Sequence, residues 1–152
     1  MPRSEPQFTI RPCDDPDEYP ELEAIWRSAV LATHDFLDEA DFERIAGSLA
    51  SLYFPAVTLI IAEHDGVPVG FAGVAEGSLE MLFVSNASRG EGVGTALLNA
   101  VIAGYGVTKV DVNEQNTSAH GFYLSRGFVQ VGRSELDGDG RPYPILHLEI
   151  PA

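Results

Sequence analysis

Between Met81 and Ala100 the chain reads MLFVSNASRGEGVGTALLNA, an apolar run that crosses a glycine-rich turn and becomes helical. Met81-Leu82-Phe83-Val84 has the character of a short strand. Val93, Ala96, Leu97, Ala100 and Val101 then recur at the spacing of one helical face. A strand that turns through glycines into a helix aims several main-chain N–H groups at one point. The amides of the first turn have no intrahelical partner there, and the helix dipole adds partial positive charge. An anion, above all a phosphate, suits that point. Gly90, Gly92 and Gly94 keep the approach clear of side chains and tolerate positive φ.

The kind of phosphate ligand follows from what the turn lacks. A dinucleotide fingerprint needs a third glycine where Leu97 stands, and a P-loop needs a lysine that this stretch does not contain. What it does contain is Arg89-Gly90-Glu91-Gly92-Val93-Gly94, an arginine followed by x-x-G-x-G. That pattern resembles the pyrophosphate loop of the GNAT (GCN5-related N-acetyltransferase) superfamily, written Q/R-x-x-G-x-G/A. On loop chemistry alone a plain glycine-rich connection is the lesser alternative.

The order of elements supplies a second constraint. A strand at Phe8–Arg11 ends at Pro12, and a helix starts in the acid- and proline-rich segment Asp14–Glu18. Tyr19, Leu22, Ile25, Trp26, Ala29 and Val30 form its apolar stripe. A second helix from Asp38 places Phe42, Ile45, Leu49 and Leu52 inward and stops before Pro55. Strands follow at Val57–Glu63, Val69–Ala75 and Leu79–Val84, with Asp65-Gly66 as a hairpin signal. After the glycine turn and its helix come a strand at Val107–Val112, a helix at Thr117–Ser125 closed by Gly127, and strands at Phe128–Arg133 and Ile145–Ile150. The order β-α-α-β-β-β-α-β-α-β-β is that of the GNAT fold, a mixed α/β architecture with a splayed central sheet. With 152 residues and 45% hydrophobic content, one domain over residues 1–152 is expected.

A second motif strengthens the resemblance. Asn116-Thr117-Ser118-Ala119-His120-Gly121-Phe122-Tyr123, then Arg126-Gly127-Phe128, is similar to the superfamily's N-x-x-A-x-x-F-Y-x-x-x-G-F signature. Residues 32–37, 112–116 and 140–144 are similar to the small bacterial YjaB-type acetyltransferases. The resemblance implies acetyl transfer from acetyl-CoA to a primary amine, on a small molecule or a peptide, within a ternary complex. Residues 90–95 (Gly90, Glu91, Gly92, Val93, Gly94 and Thr95) would hold the pyrophosphate, with Arg89 as the nearby cation or else a solvated surface arginine. The backbone of Leu82, Phe83 and Val84 would pair with the pantetheine arm, and an N–H near Leu82 would polarise the carbonyl. Asn116 would contact pantetheine or serve as a turn residue. Tyr123 takes the family position that protonates the departing thiolate, for which a phenol with a pKa near ~10 is chemically suited. A packed aromatic is its alternative.

An alkylammonium must lose a proton before it attacks. Glu80, on the strand before the turn, is the first candidate base, directly or through water, and His34 is the second; a plain surface acid and a capping or surface histidine are the alternatives. Trp26, His34, Phe36 and Tyr143 are candidates for the acceptor pocket. His64 and His147 show no partner at a telling spacing, and no sequence cluster suggests a metal. Nine basic residues against 23 acidic ones give a formal charge of -14, which disfavours a nucleic-acid partner; it serves solubility first and could also attract a cationic acceptor. The single cysteine, Cys13, excludes an internal disulfide, and no run suggests a signal or a membrane span; a cytoplasmic protein is expected. Superfamily members often dimerise, so a homodimer is an open expectation. Two other classes fit parts of the pattern: a non-catalytic CoA-binding module, and a nucleotide-binding αβ domain.

Overall fold

The computed structural model describes residues 8–33, 38–138 and 140–151. In chain order the elements are β1 (Thr9–Pro12), α1 (Tyr19–Thr33), α2 (Glu39–Ser48), β2 (Thr58–His64), β3 (Val67–Ala75) and β4 (Ser78–Val84), then α3 (Val93–Tyr105), β5 (Lys109–Asn113), α4 (Thr117–Ser125), β6 (Val129–Ser134) and β7 (Ile145–Glu149). This reproduces the expected order. The described strands form one sheet in the order β1-β2-β3-β4-β5-β7-β6. Every neighbouring pair is antiparallel except β4 and β5.

Local chemistry accounts for the helix boundaries. The Asp38 carboxylate accepts the Asp41 N–H 2.7 Å away and starts α2, and Asn116 caps α4 by accepting the Ala119 N–H at 3.1 Å. The C-terminus of α2 departs from the even helix read in the sequence. Residues Leu49–Tyr53 wind as a π-helical turn, which rotates Leu52 out to 63% exposure while Leu49 stays buried. Leu52 is therefore not an inner-face residue.

Two apolar layers enclose the first half of the sheet. On one face Ile60, Ala62, Ala72, Val74 and Leu79 pack with Val93, Leu97 and Val101 of α3. On the other, Leu59, Ile61 and Phe71 pack with Leu22, Trp26 and Val30 of α1 and Phe42 and Ala46 of α2. Covering on both faces explains why β2 and β3 read as near-continuous apolar runs. β5 and β7 alternate instead: Val110, Val112, Leu146 and Leu148 are buried, and the residues between them point outward. Gly70 lies where α3 presses closest on β3. A Cβ there would stand 2.8 Å from Val93 Cγ1 and 3.1 Å from the Phe83 carbonyl oxygen. Gly70→Ala is expected to lower stability by about 1–3 kcal/mol, seen as a lower denaturant midpoint with an unchanged slope.

Two irregularities in β4 shape what lies around it. Its pairing with β5 stops after Ser78↔Lys109 and Leu79↔Val110, so the strands part from Glu80 onward. Against β3 the register shifts between Gly73↔Met81 and Val74↔Leu79, leaving Glu80 as an extra residue, a β-bulge. Leu79, Leu82 and Val84 join the α3 layer, whereas Met81 and Phe83 join the α1–α2 layer. Beyond the bulge, the Ser85 N–H donates to the Val69 carbonyl at 2.9 Å. Alternation then places the main-chain groups of Phe83 and Met81 toward β3, and those of Leu82 and Val84 toward the parted edge.

Candidate active site

A cavity of about 460 Å³ occupies the parting between β4 and β5. Leu82, Phe83 and Val84 form one wall, and Ser118, Ala119, Phe122 and Arg126 of α4 form the other, with Asn116 at its cap. Its floor is the loop and first turn of α3: Arg89, Gly90, Gly92, Val93, Gly94 and Thr95. The six amides from Gly90 to Thr95 have no main-chain acceptor among the described residues, and no side chain caps α3. The first backbone bond of the helix is Ala96 N–H to the Gly92 carbonyl at 3.0 Å. Gly90 and Gly92 sit at φ +81° and +89°, which a residue with a Cβ adopts only under strain. Gly94 behaves differently from the other two. Its φ is not left-handed, and a Cβ would make ordinary contacts with Phe122 Cζ at 3.7 Å and Val84 Cγ2 at 3.8 Å. Its bare Cα keeps the floor open rather than permitting a turn. Gly92→Ala should cost about 1–2 kcal/mol of conformational strain and tilt the cradle, seen as a lower denaturant midpoint.

Arg89 and Glu91 are both exposed, and Glu91 is absent from the cavity lining. A second cation joins Arg89 there. The Arg126 guanidinium lies over the Phe122 ring at 5.4 Å and donates through Nη2 to Thr95 Oγ1 at 3.0 Å. The Thr95 hydroxyl thus accepts from Arg126 and keeps its own proton free to donate. Arg126 sat in the second sequence motif without a role; its i+4 spacing from Phe122, a cavity residue, was the available signal.

Across β4 lies a second cavity of about 450 Å³. Trp26, Ile45, Leu49, Tyr53, Val57, Met81 and Phe83 make it largely apolar, and Glu80 is its one carboxylate. Phe83 lines both cavities, so one strand separates them. The bulge turns Glu80 toward this second space. Its residue surface is exposed, yet partial burial of the carboxyl, followed by the nearby charge of Asp111, raises its proton affinity above that of an ordinary glutamate. Tyr123 is 6% exposed, with its ring 5.3 Å from Phe122 and 5.6 Å from Phe128. It lines neither cavity, its hydroxyl has no hydrogen-bond partner among the described residues, and burial pushes its phenol well above the ordinary value.

A family model described as an acetyltransferase (GNAT) domain matches residues 32–143. The chain belongs to the GNAT acetyltransferase family. It is 42% identical over 137 residues to the peptidyl-lysine N-acetyltransferase YjaB of Salmonella typhimurium, covering 89% of this chain and 93% of that one. It is also similar to the apo-form solution structure of YjaB from Escherichia coli, at a TM-score of 0.84 and 37% identity, covering 94% and 97% of the two chains. The fold is shared with the PaiA N-acetyltransferase of Thermoplasma acidophilum solved with coenzyme A, at a TM-score of 0.73 and 16% identity, over 95% and 99%.

Within this GNAT enzyme the other sequence candidates divide. Trp26 lines the second cavity and stacks on Phe42 at 5.1 Å. Tyr143 lines neither cavity: its hydroxyl donates to the Asp41 carboxylate. Arg141 Nη1 and Arg44 Nε lie 3.4 and 3.6 Å from that carboxylate, which clasps the β6–β7 connection to α2. The Tyr143 hydrogen bond, ahead of the arginines, holds Asp41 below the usual carboxylate range. His34 and Phe36 lie outside the described residues. His147, which the sequence left without a partner, has two: Nδ1 is 2.7 Å from Asp111 Oδ1 and Nε2 is 2.7 Å from Ser134 Oγ. These contacts arise because β7 inserts between β5 and β6, a pairing that linear spacing does not reveal. Among the described residues no three His, Cys, Asp or Glu side chains group as a metal site would need, and no helix is long and apolar enough to cross a membrane.

Proposed function

We propose that this enzyme transfers the acetyl group of acetyl-CoA directly to the ε-amino group of a peptidyl lysine, with both substrates bound at once. The observation that carries this reading is the row of six unpartnered amides, residues 90–95, at the floor of a cavity whose wall is the parted edge of β4. Such amides suit a pyrophosphate, with Arg89 and Arg126 adding cationic charge. The outward main-chain groups of Leu82 and Val84 suit an extended amide-bearing arm laid along β4 as an added strand.

Acetyl-CoA supplies an activated acyl group on a thiol leaving group. The chain's own part is to hold, to polarise and to move protons. The Leu82 N–H, facing the parting, donates to the carbonyl oxygen as negative charge develops on it. Glu80 removes the ammonium proton, the neutral amine forms the C–N bond as the C–S bond breaks, and the departing sulfur takes the Tyr123 proton. The phenolate is reprotonated by the second proton that the nitrogen sheds, passed through solvent. A phenol with raised proton affinity stays protonated throughout the working range.

The acceptor class rests on three supports: the relatives' activity on peptidyl lysine, the apolar second cavity, and a net charge of -14 that attracts cationic segments. The walls suit a lysine's methylene stem, and Glu80 suits its ammonium end. Incubation with acetyl-CoA and lysine-bearing peptides should release thiol and acetylate the lysine side chain, as read by mass spectrometry. An acetylated enzyme accumulating without acceptor would refute direct transfer. Modification of α-amines alone would refute the lysine assignment.

A further inference from the structure

On the outer face of β5 and β7 the sheet stays open, with the Asp111 side chain 54% and His147 36% exposed. There a row of polar groups crosses four strands. The last paired residues of β4 and β5 are Leu79 and Val110, so the next step along each strand is Glu80 on one side of the parting and Asp111 on the other. Val110 and Val112 are buried in the α3 layer, which puts Asp111 on the opposite face, the one toward which the bulge turns Glu80. Asp111 pairs with His147 across β5 and β7, and its carboxylate takes the Nδ1 contact at 2.7 Å. Ser134 on β6 completes the row at His147 Nε2.

A serine, histidine and aspartate so spaced could serve as a nucleophile relay. Ser134 lines neither cavity, however, and the inner end of the row is Glu80. We infer that Asp111 is a positioning residue for Glu80: its carboxylate, fixed by the His147 ring, faces Glu80 across the parting and sets that side chain's readiness to take the acceptor's proton. The inference rests on the reading of Glu80 as the base. The rise in Glu80's proton affinity has Asp111 as its second cause after burial; Glu76 adds to it and a hydrogen bond with Ser78 opposes it. Among the described residues this face also carries Tyr53 in the cavity wall, Lys109 beside Asp111, and Glu149 paired with Lys109. The Ser134 hydroxyl serves both states of the ring. It donates to Nε2 when His147 is neutral and accepts from Nε2–H when the ring is charged.

The test is a titration of the folded protein carrying ¹³C-labelled glutamate side chains, with the Glu80 signal assigned by its loss in Glu80→Gln. Asp111→Asn removes the like charge, so the Glu80 midpoint should fall by about half a pH unit. His147→Ala removes the ring that hydrogen-bonds the Asp111 carboxylate, so Glu80 feels more of that charge and the midpoint should rise. A structural role would move neither in opposed directions. Raising ionic strength on the unmodified protein should lower the midpoint in the same sense as Asp111→Asn, which needs no variant to fold. Anything other than opposed movements in the two variants, or indifference to salt, overturns the inference. Undiminished turnover in Glu80→Gln would instead remove the base assignment and leave the titration result as it stands, so the two failures are distinguishable.

Discussion

Glu80→Gln is expected to lower kcat/KM by about 10²–10³-fold at neutral pH while CoA binding stays as it was. The two halves of that expectation come from different walls. Glu80 lines the second cavity, proposed for the acceptor, and not the one with the amide cradle, so the amide analogue leaves the cradle intact. Its charge is what the acceptor loses: a lysine amine is almost wholly protonated at neutral pH and is a nucleophile only once a base has taken that proton. The pH profile carries the sign. A base works in its ionised form, and the Glu80 carboxyl binds protons more tightly than an ordinary glutamate because of partial burial and then Asp111. The acid limb of kcat/KM should therefore lie above the usual carboxylate range, with activity lost as pH falls through it. In Glu80→Gln that limb should vanish. An unchanged profile would show that water, not this side chain, takes the proton.

Tyr123→Phe is expected to reduce turnover by about 10²-fold, again with CoA affinity held within a few-fold. Stability gives this substitution a second, independent reading. The ring is packed between Phe122 and Phe128 and phenylalanine would fill the same space. The hydroxyl, unbonded to any described residue, gains nothing for the fold and costs desolvation. Removing it should leave the thermal midpoint unchanged or slightly higher. A hydroxyl kept for chemistry gives slower turnover in a protein at least as stable. A lower midpoint with full turnover would assign the phenol to packing, and the proton donor would have to be sought elsewhere.

Much of the framework was legible because its signals are local. The capping residue Asn116, the glycine with left-handed φ at position 92 and the apolar stripe of α1 each act within a few residues, so periodicity and turn chemistry exposed them. Leu52 was misplaced because a π turn breaks the helical period that placed it, and nothing in LASLY advertises that turn. His147 and Asp111 were missed for another reason. Their outward direction could be read from the alternation in KVDVN and ILHLE, but their contact depends on β7 entering between β5 and β6. Tyr143 shows the same limit: its partner, Asp41, is 102 positions away. Long-range partners are set by topology, which a linear pattern constrains only through the fold it implies.

The bulge at Glu80 has a further implication for how this strand can vary. Leu79, Met81, Leu82, Phe83 and Val84 fall on alternating sides of the sheet when position 80 is skipped, so both hydrophobic layers are complete without it. The acidic side chain is thus a supernumerary residue with no packing duty. Its identity can drift under selection for chemistry alone while the flanking apolar positions remain tied to their neighbours. Excising it would restore an unbroken ladder against β3 and rotate the outward carbonyls and amides of the strand's first half. One inserted residue therefore lets this strand fill both hydrophobic layers and still present a carboxylate to the second cavity.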